Sequence, residues 1–559
     1  MSDTLSDVKK NDRYLKRLGS LRLERESYMS HWKDITDYLL PRSGRYFLED
    51  RNKGDRRNNK INDSTGTRAL GVLSAGMMAG MSSPARKWFD LTLADRELSE
   101  FMPVKIWLND VVEIMRDIFA RSNVYRVLAG LYEEMGAFGT GCVLLFRDNK
   151  DLIRLYPQTV GEFMIGQDNR YEVDTIYREF QMQVGAAARE FGPENLSSGL
   201  QDLFKKGEVD QWTTIVHAIQ PRQERNTLKL NNTNMPFESI FLEPGADEGR
   251  FLRESGFKTF PALAPRWVTR GGDVYGSDCP GMTALGDIRQ LQDNQLKKAK
   301  GIDYQTDPPL QVPTSLRGSE DVLPGGISYH DPANPTGGIR SAFEVTLNLQ
   351  HLLEDIADVR NRINSSFHVD LFQMMAQSDR RQITAREIEE RHEEKLLVLG
   401  PVLERNQNEL LDPLINNTFE IALAEGLFPP PPEDLVGVDI NIEYVSVLAQ
   451  AQKAVGIGAL DRIVTTIGQI AAVKPDALDK LDSDKVIDEY SNILGISPDL
   501  IIGNEDVALI RQQRAEVQAQ AQQQASIPEI ANTAKTLSET ETGDGGSALD
   551  EVVGQFSQL

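Results

Sequence analysis

Apolar positions change period several times along this chain, and the changes divide it into blocks. Residues 7–40 place Tyr14, Leu18, Leu21 and Tyr28, then Trp32, Ile35 and Leu39, on one side of a helix, with Gly19 a possible interruption and Pro41 the stop. Residues 69–81, ALGVLSAGMMAGM, form a short apolar helix capped by Asp63-Ser64-Thr65. Its Gly76 and Gly80 are spaced for a close neighbour. At 13 residues it is too short to cross a bilayer, so it reads as a buried helix. Helices over 103–120 and 124–138 follow. From Gly139 the period shortens: CVLLFRD, EFMIG, YEVDTIYREFQMQV, QWTTIVHAI, ESIFLE and FPALAPRWVTR predict an antiparallel β-rich subdomain over 139–270, interrupted by a helix pair at 186–204.

A matched pair of helices comes next. The first, 282–300, carries Leu285, Ile288, Leu291 or Gln292, and Leu296 on one face. The second, 343–367, carries Leu349, Leu352, Ile356, Val359 and Ile363. Between them, residues 305–340 hold six prolines and five glycines, with β-prone LQV and GISYH: a compact tip joining two helices of about 30 Å. Residues 368–382 break the pattern and leave Leu371, Phe372, Met374 and Met375 exposed. A very long helix then runs over 383–428. Thr384 and Glu387 make its capping box, Ile383 and Ile388 a hydrophobic staple, and Pro401 and Pro413 are expected kinks. Gly426 and Pro429 to Pro432 end it, giving an element on the order of 60 Å long. Beyond lie a strand at 438–445, helices at 449–472, 485–494 and 506–525, and a tail from 526 whose composition fits disorder or order imposed by a partner.

Composition narrows the function. Sixty-one basic against 84 acidic residues give a net charge of −23, which argues against a protein gripping nucleic acid over its whole surface but not against a channel in which a polyanion slides. Two cysteines, Cys142 and Cys279, build no disulfide framework and fit a reducing compartment, and the charged N-terminus does not read as a secretion signal. The loop 41–60 carries seven Arg or Lys and three acids, which a solvated loop or subunit contact explains better than nucleic-acid binding. Six histidines show no metal-ligand spacing. There is no phosphate loop of the G-x-x-x-x-G-K-[ST] type and no G-x-S-x-G elbow, and Gly456-Ile457-Gly458 lacks the third glycine of a dinucleotide site. Neither an enzyme nor a cofactor is expected. One charged cluster stands out: Lys297, Lys298 and Lys300, at the end of the first paired helix, where the helix dipole alone could account for them.

Two helices joined by a Pro/Gly-rich tip, a Met/Gln-containing break, then T-A-R-E-I-x-x-R-x-E-E-K-L-x-x-L-G-P-V-L-E-R-x-x-x-E-L-L-D-P-L-I from Thr384 to Ile415 resemble bacteriophage portal proteins, most closely the head-to-tail connectors of short-tailed, T7-like phages. The resemblance covers most of the chain and is weakest beyond the proline run. It implies an α+β, mainly α fold: a wing (1–281 with the long kinked helix 384–428), a two-helix stem (282–304 and 341–367), a clip (305–340), a tunnel loop (368–383), a crown with a possible barrel helix (429–525) and a flexible tail (526–559). It also implies a dodecameric ring at one capsid vertex of the virion, assembled in the host cytoplasm, with no membrane partner. Double-stranded DNA would pass through the lumen without sequence preference. The terminase large subunit and a tail adaptor would dock outside, and the major capsid and scaffolding proteins would surround the ring. Under it, Lys297, Lys298 and Lys300 line the channel. Phe372, Gln373, Met374, Met375, Gln377, Arg380 and Arg381 belong to the tunnel loop. Arg317, Glu320, Asp321, Tyr329 and His330 of the clip meet motor or adaptor. The rival expectation from the residues alone is an intracellular helical scaffold or coiled-coil adaptor without a channel.

Overall fold

The computed structural model describes residues 2–48, 57–93, 101–229, 231–245, 251–306, 350–377, 399–432, 440–444, 463–471, 481–487 and 507–518, with a few shorter pieces. The chain divides into two compact units. The first comprises Met1–Thr92, Asp110–Pro430 and Asn441–Ala459, and the second Leu93–Asn109, Pro431–Ile440 and Leu460–Leu559. The architecture is α+β with helix predominating.

In the first unit, helix α1 (Ser2–Tyr38) is continuous through Gly19. Gly19 has open space around it, and the helix holds because Tyr14, Leu18, Leu21, Trp32, Ile35 and the following Leu39 are all buried. Helix α2 (Thr65–Met81) buries its small-residue face. After it along the chain come β1 (Phe89–Leu93), α3 (Met102–Arg121), whose residues up to Asn109 are assigned to the second unit, and α4 (Val124–Phe138), the last closed by Gly139 in the left-handed region at φ 78°. A Cβ at Gly139 would sit 2.6 Å from the Gly276 carbonyl oxygen, so both conformation and space demand glycine there.

The β-rich region expected over 139–270 contains two antiparallel sheets. One has the order β3-β2-β9, from β2 (Cys142–Asp148), β3 (Leu152–Gln158) and β9 (Ala262–Leu263). The other is the meander β4-β5-β6-β7-β8: β4 (Phe163–Gln167), β5 (Val173–Gln183), β6 (Trp212–Pro221), β7 (Phe237–Leu242) and β8 (Phe251–Phe257). Helices α5 (Val184–Phe191) and α6 (Ser198–Lys205) are the expected interruption. Strand alternation sorts the residues between two cores. Met164, Tyr177, Val216, Ala218, Ile240 and Leu242 face α1. Ile215, Phe241 and Leu252 face Val184, Ala187, Phe191 and Leu200 of α5 and α6. Both faces are covered, which is why IVHAI and SIFL read as nearly unbroken apolar runs. His217 fits this interior as a neutral imidazole. It stacks on Phe241 at 3.8 Å between ring centres, accepts from Arg178 Nε at 3.1 Å and lies 2.9 Å from Ser239 Oγ. Burial, with the Arg178 and Arg253 charges, holds its pKa well below the ordinary histidine value.

The paired helices are α7 (Leu285–Thr306) and α8 (Gln350–Ser366). Helix α7 extends past the expected end at 300, so Lys297, Lys298 and Lys300 stand inside the helix rather than on its last carbonyls. The dipole account therefore loses its force, because that field is confined to the last turn. Residues 368–383 are not a loop throughout: His368 turns the chain at φ 53° and α9 (Val369–Gln377) follows. Leu371 and Phe372, expected to be exposed, are buried. Residues 399–424 form α10, the described part of the long helix. Its π segment, Gln407–Leu411, ends two residues before Pro413. Proline has no N–H for the carbonyl four residues back and its ring crowds that carbonyl. A widened turn relieves both problems, and it stands at the proline where a kink is expected.

Short strands β10 (Leu310–Gln311) and β11 (Arg340–Ser341) pair antiparallel, bringing together the two ends of the Pro/Gly-rich tip. Strand β12 (Ile440–Tyr444), expected at 438–445, pairs with β1. Arg317, Glu320, Asp321, Tyr329 and His330 lie outside the described residues, as do Arg380, Arg381 and the Thr384–Glu387 capping box. In the second unit, residues 463–471 and 507–518 are helical, and Arg511 grips the Asp484 carboxylate with two N–H groups at 2.6 and 2.7 Å.

Candidate functional site at the base of the paired helices

The site begins with one carboxylate just ahead of α2. Asp63 Oδ1 accepts from the Thr65 backbone N–H at 2.9 Å and from the Thr65 hydroxyl at 2.5 Å. The expected cap is therefore real, but Asp63 makes it rather than Ser64, whose side chain caps nothing. The other oxygen, Oδ2, accepts from Gln295 Nε2 of α7 at 2.8 Å and Arg360 Nη2 of α8 at 2.6 Å. Gln292 adds three more bonds: its Oε1 accepts from the N–H groups of Asn62 and Asp63 at 2.6 and 2.8 Å, and its Nε2 donates to the Asp63 carbonyl at 2.9 Å. One residue thus fastens both members of the helix pair to the start of α2. Burial alone would raise the Asp63 carboxyl, but the bonds from Thr65 and Arg360 outweigh it and hold the pKa below the ordinary aspartate value.

The helices also grip each other and the body. Asn294 Nδ2 and Gln290 Nε2 donate to Asp355 Oδ2 at 2.6 and 3.3 Å, and Arg362 pairs with Asp287 at 3.4 Å. Arg289 meets Asp34 at 2.5 Å and lies over the Tyr38 ring, tying α7 to α1. Helix α2 receives Phe372 of α9 at Gly76, where a Cβ would fall 2.1 Å from the ring; the small-residue spacing anticipated this close neighbour. Further along the pair, Leu296, Ile302, Tyr304 and Leu353 are exposed, between 40% and 50% in each case. Leu296 thereby departs from the apolar stripe, and Gln292 takes the buried place instead.

The structure separates the three lysines. Lys297 is exposed and pairs with Asp293 at 3.0 Å; Lys300 is exposed; Lys298 is half-buried and lines a cleft with Asp63, Arg68, Arg360 and Asp370. Helix geometry requires this, since neighbours in sequence lie about 100° apart around the axis. Of the expected tunnel-loop residues, Phe372 is the anchor in α2 and Gln373 is exposed at the rim of the same cleft. Met374, Met375 and Gln377 continue the helix.

A second charged junction was not anticipated. Arg266, 2% exposed, sends Nη2 to Glu409 Oε1 at 2.7 Å and to the Tyr171 carbonyl at 2.8 Å. Its Nη1 reaches Gln167 Oε1 at 3.1 Å, and its backbone N–H reaches Glu409 Oε2 at 2.9 Å. Glu409 sits in the π segment and also accepts from Arg405 at 3.1 Å. Neither residue was singled out from the sequence. The signals available were Gln292 inside an apolar stripe and Glu409 one turn before an intrahelical proline. No group of three or more His, Cys, Asp or Glu suited to a metal occurs among the described residues, and no described helix is long and apolar enough to cross a membrane.

The family model described as bacteriophage head to tail connecting protein matches residues 11–502. A probable portal protein of Bordetella phage BPP-1 is 53% identical over 544 residues, 97% of this chain and 98% of its own length. A portal protein of Salmonella phage epsilon15 is 44% identical, covering 95% of this chain and 96% of its own. Among solved structures, a chain from the neck of an empty GTA particle matches with a TM-score of 0.35 and 12% identity, over 82% of this chain and 96% of that one. With a family match across nearly the whole sequence and relatives this similar over their full lengths, the chain belongs to the bacteriophage head-to-tail connecting proteins, the phage portal proteins.

Proposed function

We propose that copies of this chain assemble as a closed ring of twelve at one capsid vertex and that the ring conducts double-stranded DNA. In this reading the terminase large subunit docks during packaging and a tail adaptor afterwards, with the major capsid and scaffolding proteins around the ring. The observation that carries the proposal, beyond family membership, is the exposed apolar set Leu296, Ile302, Tyr304 and Leu353 on helices already bonded to each other. A helix pair leaves such residues uncovered when a neighbour completes the packing, and a head-to-tail contact that closes supplies one to every copy. The net charge of −23 suits a conduit that must not hold its cargo, and Lys297, Lys298 and Lys300 would meet phosphates without reading bases. Residues 305–340, with Arg317, Glu320, Asp321, Tyr329 and His330, form the docking tip. Residues beyond the Phe372 anchor, through Arg380 and Arg381, narrow the channel.

Electron microscopy of the purified full-length protein tests the proposal. Top views should show rings with an axial hole. A monomer or dimer without a hole at every concentration overturns it.

A further inference from the structure

We propose that the pocket between α1, residues 45–48, β5 and β6 receives a carboxylate side chain of a neighbouring copy of this chain, with Arg25 as its counterion. The pocket has a volume of about 250 Å³. That is below the roughly 300–1,000 Å³ of small-molecule sites and suits one or two inserted side chains. Arg25, only 8% exposed, lines it. Its Nη1 donates to the carbonyls of Gly161 and Phe163 at 2.8 and 3.2 Å. Its buried Nε has no acceptor, and the side chain pairs with no carboxylate among the described residues. Both acids of the lining are already matched. Glu179 accepts from two N–H groups of Arg22, and Glu162 meets Arg45 at 2.5 Å. A guanidinium keeps its charge when buried, so the fold holds a cation here that it does not itself offset. Burial pulls the Arg25 pKa down accordingly.

The surroundings select a side chain rather than a free anion. Phe47, Leu48 and Trp212 line the same pocket and are 69%, 44% and 44% exposed. An inorganic ion would leave that apolar rim in water, whereas an acid with an apolar neighbour covers it. The occupant follows from the loop. Residues 41–60 read as a solvated loop or a subunit contact, and only the second accounts for Phe47 and Leu48 standing outward. The rim is also built in advance. Gly44 N–H donates to Thr159 Oγ1 at 2.7 Å and Arg45 N–H to the Val160 carbonyl at 2.9 Å. Gly161, at φ 90°, lets the Arg45 carbonyl come where a Cβ would fall 1.8 Å away. A rim already ordered loses little entropy when a partner arrives. With 84 acidic residues against 61 basic, every copy has carboxylates to offer. That a copy is the partner rests on the ring reading above, which sets one on either side of each chain.

The full-length protein is made with p-benzoylphenylalanine in place of Phe47. Labelled (¹⁵N) and unlabelled preparations are mixed before assembly, irradiated and mapped by mass spectrometry. Cross-links joining labelled to unlabelled chains, beside an Asp or Glu, are expected. Sedimentation velocity over a concentration series then compares F47E/L48E with F47K/L48K, since both residues are exposed and neither change enters the core. Acids at the rim should raise the concentration needed for assembly about tenfold or more above that for lysines at the same places. Plain loss of apolar area would weaken both variants alike. Cross-links confined to single chains, which would make the occupant a segment of the same copy, overturn the pocket, as does equal assembly of the two variants. Rings that survive those results leave the channel reading intact. Mixed cross-links in a parent protein that forms no ring support the pocket and remove the channel reading instead.

Discussion

Two junctions hold helices to the same body with similar charges, and they use water differently. At the π segment of α10, Arg266 is almost sealed from solvent, and its guanidinium is spent on Glu409, Gln167 and two backbone carbonyls. At the base of the paired helices, the Asp63 side chain is 7% exposed while its partner Arg360 is 46% exposed. A buried charge has no water to fall back on, so its partners are structural necessities. A half-exposed arginine loses little by letting go. The first junction therefore fixes the π segment against the β-rich region, whereas the second positions the helix pair through an ion pair that water can reach.

The largest expected effect follows from breaking the sealed junction. Glu409→Gln leaves the Arg266 charge buried without its counterion and should cost about 3–5 kcal/mol in denaturant-monitored stability. The double variant R266M/E409L removes both charges and should recover most of that loss. If Glu409→Gln costs under 1 kcal/mol, the contrast between a dry and a wet junction is wrong.

A steric fastening ranks next. Gly76→Ala places a methyl against Phe372, whose Cβ and ring both lie within 3 Å of it, so more than a flexible tip must move. The expected cost is about 1–3 kcal/mol, with faster amide hydrogen exchange confined to residues 369–377. Adding Phe372→Ala should relieve the clash and restore α2, yet leave α9 loosely held. Protection of α9 unchanged in Gly76→Ala would show that Phe372 is not its anchor.

How much of this was legible in the sequence depended on whether the signal was periodic. Helix α1, the interrupted β-rich region, the strand at 440–444 and the matched pair all followed from apolar spacing, and the Thr384–Ile415 stretch carried the family. Gly76 announced a close neighbour but could not say which, because Phe372 lies about 300 residues on and looked exposed in its own segment. Asp63 was legible as a cap, while its grip on Gln295 and Arg360 was not: contacts between distant polar residues leave no period. The same holds for Arg266 and Glu409. The lysine triplet was legible as a cluster but not in its directions. Adjacent residues were grouped by sequence, and a helix sends them in different directions.

Asp63→Asn tests the wet junction and should cost less than the sealed one, about 1–2 kcal/mol, since Thr65 keeps an acceptor while Gln295 and Arg360 face an amide. Its pH dependence fixes the sign. The folded pKa of Asp63 lies below the unfolded value of 3.8, so the ionised carboxylate stabilises the fold at every pH above that value. The contribution is lost as pH falls through the folded pKa, so the parent protein and Asp63→Asn should converge only in strong acid. At neutral pH the difference should shrink with added salt, because Arg360 is open to counterions. The Glu409→Gln penalty should be nearly salt-independent, since ions cannot reach Arg266. Equal salt sensitivity in the two variants would abolish the distinction between the junctions, whatever their absolute costs.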